Sequence, residues 1–318
     1  MELMLKQDWS GLMNKTLIIG GNGYIGNRLC EYFDDVDILD ACWFGEESDN
    51  VIVKDYRDMD NEFYSKYDNI ILLAGHSSVK MAEGESTSCF KNNVVNFIEL
   101  SEKLNNKQKF IYASSSSVYG SVGGKTVDEN YYGFKPYNNY DISKHCIDLY
   151  AEKSDLQYYG LRFGTVCGYS PVMRADIMIN AMTNSALKDG EIKLYIKDIM
   201  RPILGIEDLC RAIKTIIECD EDKRGLYNLA SFNKTAEQIA YEVSDVLKIK
   251  VVEYDADPTQ IKNTKLQTKT YNFSISTRKF CREFNFKFNE TVESITKGIV
   301  DNWDEIIKTD RGEFFQYG

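Results

Sequence analysis

The chain has 318 residues, 43% of them hydrophobic and 27% charged, the balance of a globular protein with room for one large α/β domain or two smaller ones. Its 49 acidic against 38 basic side chains leave a net charge of −11, which argues against nucleic acid and anionic membrane as partners. An anionic small molecule is still compatible if a few arginines are gathered around it.

No apolar run reaches the ~18 residues of a membrane span. The opening MELMLKQDWSGLMNK has no signal-peptide pattern, so the eight scattered cysteines are expected as thiols in a reducing, cytoplasmic setting. With only His76 and His145, neither a histidine triad nor a histidine-rich metal site is well supplied, and no metal is expected. Acid–base chemistry must rest on Tyr, Lys, Ser or carboxylates.

After a short extension over residues 1–14, TLII (16–19) is predicted as the first strand and IGNRLCEYF (25–33) as a helix. Strands follow at VDIL (36–39), VIV (51–53) and IILLA (70–74), then a helix over Asn93–Leu104 and a strand at FIYA (110–113). A helix over Tyr140–Glu152 precedes the strand YYGLRF (158–163). This alternation predicts an α/β fold whose parallel sheet carries helices on both faces. The second half mixes a helix over Glu207–Cys219, one opened by the capping-box pattern TAEQ (235–238), and a last one over Thr291–Ile307. Two packed lobes are expected, 15–168 and 169–318, with segments of the second returning to the first.

The first strand runs into GGNGYIG (20–26) and then into a helix. Glycines let such a loop turn tightly and lay its backbone against a pyrophosphate, at the positive end of the following helix. Asp40 follows the second strand 20 residues after Gly20, where an acid binds the adenosine ribose hydroxyls. A carboxylate there repels a 2′-phosphate, and DACWFG (40–45) holds no cation to accept one, so NAD(H) is favoured over NADP(H). Together these features read as a Rossmann-type doubly wound sheet with a smaller mixed α/β substrate-binding lobe.

Two further segments are ambiguous alone. YASSSSVYG (112–120) is a strand followed by serines, which elsewhere would be a solvated loop. In NNYDISKH (138–145), Tyr140 and Lys144 share one face of a helix, a pairing that occurs often by chance. The ordered set IIGGNGYIG (18–26), LLAGHSSV (72–79), YASSSSVYG, PYNNYDISKHCIDLY (136–150), LRFGTVCGYSP (161–171), RPILGIEDLCRAI (201–213) and YNLASFNKT (227–235) resembles the extended short-chain dehydrogenase/reductase superfamily, in particular its nucleotide-sugar epimerases, dehydratases and ketoreductases.

That resemblance implies Tyr140 as the catalytic tyrosine, Lys144 as the lysine on the nicotinamide ribose, and Ser115 as the catalytic hydroxyl. It assigns Gly20, Gly23, Tyr24, Ile25, Gly26, Asp40, Asp55, Tyr56, Leu73, Ala74, Gly75 and Lys144 to the cofactor. Ser77, Ser115, Ser116, Thr165, Arg174 and Arg201 go to the substrate, Arg201 on its diphosphate. Thr165 departs from the asparagine that several epimerases have there. A free tyrosine ionises near pH ~10, so bringing it to neutrality takes ~3 pKa units, or roughly 4 kcal/mol. A nearby ammonium and a nicotinamide cation act in that direction.

Dehydratases of this kind carry Asp-Glu directly after the catalytic hydroxyl, whereas this chain has Ser116-Ser117, so elimination is not expected. The expected activity is oxidation and reduction at a carbinol, C4 by preference, of a nucleotide-diphosphate sugar. A C4 epimerase stands first, a one-way 4-dehydrogenase or 4-ketoreductase second, and a non-catalytic NAD-binding protein third. Helices Asn93–Leu104 and Tyr140–Glu152 resemble the pair that builds a dimer interface in this superfamily, so a homodimer is expected.

Overall fold

The structure, a computed structural model, describes residues 15–44, 49–254 and 271–305. Strand β1 (Thr16–Ile19) leads through the glycine loop into α1 (Tyr24–Cys30), then β2 (Asp37–Asp40), β3 (Val51–Val53), α2 (Asn61–Tyr64) and β4 (Asn69–Leu72). Helices α3 (Val79–Gly84), α4 (Ser86–Phe90) and α5 (Asn96–Lys103) precede β5 (Lys109–Ser115), β6 (Thr126–Val127), α6 (Asn139–Ala151) and β7 (Gln157–Phe163). Next come β8 (Thr165–Cys167), α7 (Met178–Asp189), β9 (Ile192–Leu194), β10 (Met200–Gly205), α8 (Ile206–Glu218) and β11 (Gly225–Leu229). The described chain closes with β12 (Phe232–Thr235), α9 (Ala236–Leu247), β13 (Val251–Glu253), β14 (Ser274–Ile275), α10 (Arg278–Glu283) and α11 (Val292–Asp301). The extension expected over residues 1–14, and Ile307 at the end of the last predicted helix, lie outside the described residues.

Seven strands form one parallel sheet in the order β3-β2-β1-β4-β5-β7-β11. All four residues of β1 and of β4 are buried, as covered parallel strands require. Alternate side chains serve two cores. Ile18, Ile71, Ile111, Tyr159 and Leu161 pack with α1, α8 and α10 on one face. Leu17, Ile19, Ile70, Leu72, Phe110 and Tyr112 pack with α5 and α6 on the other. The chain leaves β1 for β2 on one side and later returns to β4 on the other. This reversal opens a crevice at the C-terminal ends of β1 and β4.

The second half builds a three-stranded sheet β12-β10-β8 and a parallel pair β13-β9, packed on α7, α9 and α11 around Ile179, Ile203, Ile239 and Ile299. β11 returns to the edge of the main sheet, and α8 returns to its face. Two sequence expectations shift in detail. The predicted helix from Asn93 begins as a π-helical turn over Lys91–Val95, and β5 runs on through Ser114 and Ser115. The TAEQ capping box is present, with Thr235 and Gln238 exchanging side-chain to backbone hydrogen bonds.

Candidate active site

Gly20 turns out of β1 with φ +86, and a Cβ there would lie 2.5 Å from the backbone nitrogen of Ala74. Only glycine allows β1 and the β4 loop to approach so closely. Gly26 is needed for a related reason: its Cβ would sit 2.5 Å from the Cα of Gly21. Gly23 is different. A Cβ on it would meet only the carbonyl of Gly20, at 3.4 Å, and it caps α1 with an extended backbone and no side-chain hydrogen bond. Protein packing therefore does not demand glycine at 23, which is what a position reserved for close backbone approach to a pyrophosphate looks like. Tyr24 and Ile25 open α1, and the Tyr24 hydroxyl donates to the carbonyl of Gly168 at 2.8 Å, tying this loop to the segment after β8.

Asp40 ends β2, and its carboxylate accepts from the N–H groups of Asn22 (2.9 Å) and Cys42 (2.8 Å), which seats it beside the glycine loop. Burial pushes its carboxyl above the ordinary value against the pull of those two donors. Leu73 and Ala74 follow β4 and both donate to the carbonyl of Ile19. Gly75, at φ +129, has the Asn93 Oδ1 where a Cβ would come within 2.5 Å. Asp55 and Tyr56 stand after β3. The Asp55 carboxylate is engaged by Arg57, whose hydrogen bonds outweigh the effect of burial and hold it below the ordinary range. The Tyr56 hydroxyl donates to the carbonyl of Asn92. These residues fit an adenine dinucleotide laid over the β1–β4 crevice, with Asp40 on the ribose side.

Ser115 ends β5, and Tyr140 and Lys144 lie one turn apart on α6, which packs on that strand. Lys144 is only 7% exposed, and its ammonium donates to the carbonyl of Ala113 at 2.8 Å. Burial lowers its pKa to about 8, although the Asp148 carboxylate pulls the other way. The ammonium stands 5.8 Å from the centre of the Tyr140 ring. Burial pushes the Tyr140 phenol up to about 12; a hydrogen bond with Ser115 and the charge of Arg174 oppose the shift, and Asp141 adds to it. The tyrosine is thus neutral at pH 7 in the protein alone. One turn beyond Lys144, Asp148 forms a buried ion pair with Arg162 of β7 at 2.8 Å, fixing α6 against the sheet.

The substrate-side residues fall into two groups. Arg174 forms a two-pronged pair with Asp176 and reaches the carbonyl of Ser77 at 3.4 Å, and its charge is felt at Tyr140. Ser77 is exposed, while Ser116 is buried. Arg201 lies on β10 with its guanidinium 5.8 Å from the centre of the Tyr271 ring, and burial lowers its pKa. Glu207, the acid six residues along the chain, pairs with Arg28 and Tyr32 instead. Among the described residues no carboxylate pairs with Arg201, the state suited to an anionic ligand. Thr165 starts β8, in register with Ile203 two residues along from Arg201.

Several organising residues were not singled out from the sequence. Asn93 accepts from the N–H of His76 (2.8 Å) and donates to its carbonyl (3.1 Å) and to the Ser143 hydroxyl (3.0 Å), clamping the β4 loop to α6. Asn180 holds the N–H of Gly168 and the carbonyl of Arg174. Neither belongs to a recognisable spacing; Gly75 was the only available hint, since its missing side chain makes room for Asn93. His76 is fully buried, and His145 packs on Phe134 with ring centres 4.3 Å apart. Tyr271 and Asp141 were also missed.

The fold is that of a dinucleotide-binding α/β protein, and Tyr140, Lys144 and Ser115 come together where α6 packs on β5. A family model described as "NAD dependent epimerase/dehydratase family" matches residues 16–230, and the chain belongs to that family. Protein CapI of Staphylococcus aureus is 27% identical over 233 residues, covering 64% of this chain and 69% of that protein. UDP-glucose 4-epimerase of Lactobacillus helveticus is 25% identical over 232 residues, covering 62% and 70%. The solved UDP-N-acetylglucosamine 4-epimerase of Methanobrevibacter ruminantium M1, in complex with UDP-N-acetylmuramic acid, superposes with a TM-score of 0.77 at 22% identity, covering 91% of this chain and 99% of that one. The expected family, the Rossmann-type fold and NAD(H) as cofactor agree with these findings, and the protein is an enzyme of the extended short-chain dehydrogenase/reductase type.

Proposed function

We propose that the enzyme is a C4 epimerase of a nucleotide-diphosphate sugar, working through a 4-keto intermediate. The observation that carries this reading is the meeting of Ser115, Tyr140 and Lys144 at the C-terminal edge of β5, with Ser116-Ser117 where elimination chemistry needs acids. The name of the Lactobacillus relative, a UDP-glucose 4-epimerase, supports it.

When bound, oxidised NAD supplies a hydride acceptor and, once reduced, a hydride donor. The protein's own residues do the rest. Lys144 holds its charge beside Tyr140 and, by the family pattern, binds the nicotinamide ribose. Tyr140 as phenolate takes the proton of the sugar hydroxyl, and Ser115 hydrogen-bonds the same oxygen and keeps it in line. After the keto sugar turns its other face, Tyr140 returns the proton. Arg201 holds the diphosphate by paired hydrogen bonds, which anchors the nucleotide while the sugar rotates. Arg174, Ser77, Ser116 and Thr165 line the sugar side.

The working form is proposed to be a homodimer. Val95, beside α5, and Ile142 and Leu149 on α6 are 47%, 37% and 50% exposed and lie on the two helices expected to pair, whereas Phe97 and Ile147 fill the core. We place the lobe division near residue 168 and the enzyme in the cytoplasm, where all eight cysteines, free in the structure, stay reduced.

The test is to release bound dinucleotide from fresh protein, having read its redox state from the near-ultraviolet band, and then to assay nucleotide sugars for C4 inversion. Retained NAD⁺ with inversion supports the proposal. Retained NADH with net oxidation of the sugar would make the enzyme a one-way dehydrogenase instead.

A further inference from the structure

Asp141 directly follows Tyr140 and has no part in the chemistry above, yet its side chain is completely buried at the catalytic end of α6. One carboxylate oxygen, Oδ2, is crowded with donors: the N–H of Tyr137 at 3.3 Å, the Asn138 amide at 2.9 Å, and the Tyr271 hydroxyl. The other oxygen, Oδ1, is buried with no hydrogen-bond partner among the described residues. Ser117 is the hydroxyl beside this carboxylate. Ser117 Oγ in turn lies 2.7 Å from Ser115 Oγ, and Ser115 is the neighbour of the Tyr140 phenol. These two bonded hydroxyls, in the turn packed on α6, therefore stand between the tyrosine and a buried carboxylate whose Oδ1 is free to accept one more donor.

Electrostatics sets what this line does. A phenolate and a carboxylate on adjacent residues, both buried, repel each other in a medium that screens poorly, so the pair carries one negative charge far more readily than two. Burial raises the Asp141 carboxyl, and Asp141 itself raises the Tyr140 phenol. The other charged or titratable groups facing the pair are Lys144 on α6, Cys89 on α4, Arg174 from the second lobe, and Tyr271 with Arg201 behind it. Arg174 and Lys144 lie toward the Tyr140 end, and the nicotinamide charge would add to them, so cofactor binding favours the negative charge on the phenol.

We propose that Tyr140 and Asp141 share one proton through Ser115 and Ser117, which makes Asp141 a positioning residue for the catalytic tyrosine. This rests on the site reading given above. In the transfer, the Tyr140 O–H bond breaks as Ser115 Oγ gains that proton. The Ser115 proton passes to Ser117, and the Ser117 hydroxyl, turned toward the unpartnered Oδ1, passes its proton to Asp141. Three protons each move one link for a net transfer of one, no electrons change hands, and the net charge stays constant. The phenolate is thus formed without expelling a proton into water. The same argument accounts for serine at 117, since an acid there would set a second carboxylate against Asp141.

The experiment compares wild type, Asp141→Asn and Ser117→Ala. Ionisation of Tyr140 is followed without substrate as the tyrosinate absorbance lost in Tyr140→Phe, and proton release on NAD⁺ binding by calorimetry in buffers of different ionisation heat. In Asp141→Asn the phenol should ionise tenfold or more readily, and NAD⁺ binding should release a proton that wild type retains. The wild-type profile of kcat against pH should be flat around neutrality. It should gain a slope in both variants, with KM changed less than about twofold. Ser117→Ala leaves the carboxylate and its other donors in place, so it remains informative if Asp141→Asn does not fold. Unchanged Tyr140 ionisation, equal proton release and a wild-type pH profile in the folded variants would overturn the shared proton. Full turnover by Tyr140→Phe would instead overturn the site reading, and the phenol titration separates the two failures.

Discussion

The Lys144 ammonium donates to the carbonyl oxygen of Ala113, two residues before Ser115, at 2.8 Å. This bond holds the lysine of α6 against the strand that carries Ser115, the proposed catalytic hydroxyl, so one contact sets the spacing between helix and strand. It also keeps a charged group in a place that disfavours charge, and the stability of the protein should record that.

The Lys144 pKa falls from 10.5 to about 8 because burial penalises the ammonium. Below pH ~8 the lysine is charged in both folded and unfolded chains, and the penalty is present in full. Between about 8 and 10.5 the unfolded chain binds more protons, so folding becomes more favourable as pH rises. Urea unfolding should therefore show wild type gaining stability relative to Lys144→Met across that window, while the variant binds NAD at least tenfold more weakly at pH 7. A constant stability difference from pH 7 to 10 would contradict the buried ammonium.

Gly20 and Gly23 should respond oppositely to alanine. At Gly20, with φ +86 and a Cβ 2.5 Å from Ala74 N, the substitution strains the backbone and pushes β1 from the β4 loop, costing about 2 kcal/mol or more. At Gly23 the added methyl finds only a 3.4 Å contact, so thermal unfolding should stay near that of wild type while NAD affinity drops. Equal losses of stability in the two variants would refute separate packing and cofactor roles.

Replacing Tyr140 with Phe removes the phenol and leaves the dinucleotide crevice intact. Turnover of an active nucleotide sugar should fall by about 10²–10⁴-fold, the usual contribution of a general acid–base, with NAD affinity within a few fold of wild type. Stopped-flow reduction of bound NAD by substrate reads the two effects separately.

Arg201 has an aromatic neighbour and no paired carboxylate among the described residues, so its charge is available to an anion. Arg201→Leu should weaken binding of a nucleoside diphosphate such as UDP by tenfold or more, as measured by calorimetry. NAD binding and the unfolding temperature should change little. An unaltered UDP affinity would move the diphosphate away from β10.

Asp148 and Arg162 form an ion pair that is almost wholly buried between α6 and β7. Asp148→Asn leaves the guanidinium without its counter-charge, and a loss of about 3–5 kcal/mol in chemical denaturation is expected. A loss below 1 kcal/mol would mean that α6 does not depend on the pair.

Much of the first half of the chain was readable because its signals are local. Strand alternation, the glycine loop and an acid 20 residues on describe backbone conformations and a nearby charge, and β1, α1 and β2 follow them closely. The Tyr140–Lys144 pairing is a helical spacing, and α6 places both on the face toward β5. The clamp made by Asn93 was not readable, because it depends on a loop 17 residues away in sequence adopting φ +129 at Gly75. Asn180 and Tyr271 were missed for the same reason: each acts on partners from distant elements.

Asp141 shows where that boundary lies. Chain order places an acid beside the tyrosine in any conformation, and by composition it is an ordinary first-turn residue of a helix. Its character comes from Tyr271, 130 residues further along, which closes over Oδ2, and from Ser117 in the helical turn after β5, which stands beside the carboxylate. Short-range steric and periodic rules settle which segments become strands, turns and helices, since those depend on neighbours a few residues apart. Burial and the pairing of charges, and hence which groups hold protons, arise only when remote segments exclude water together.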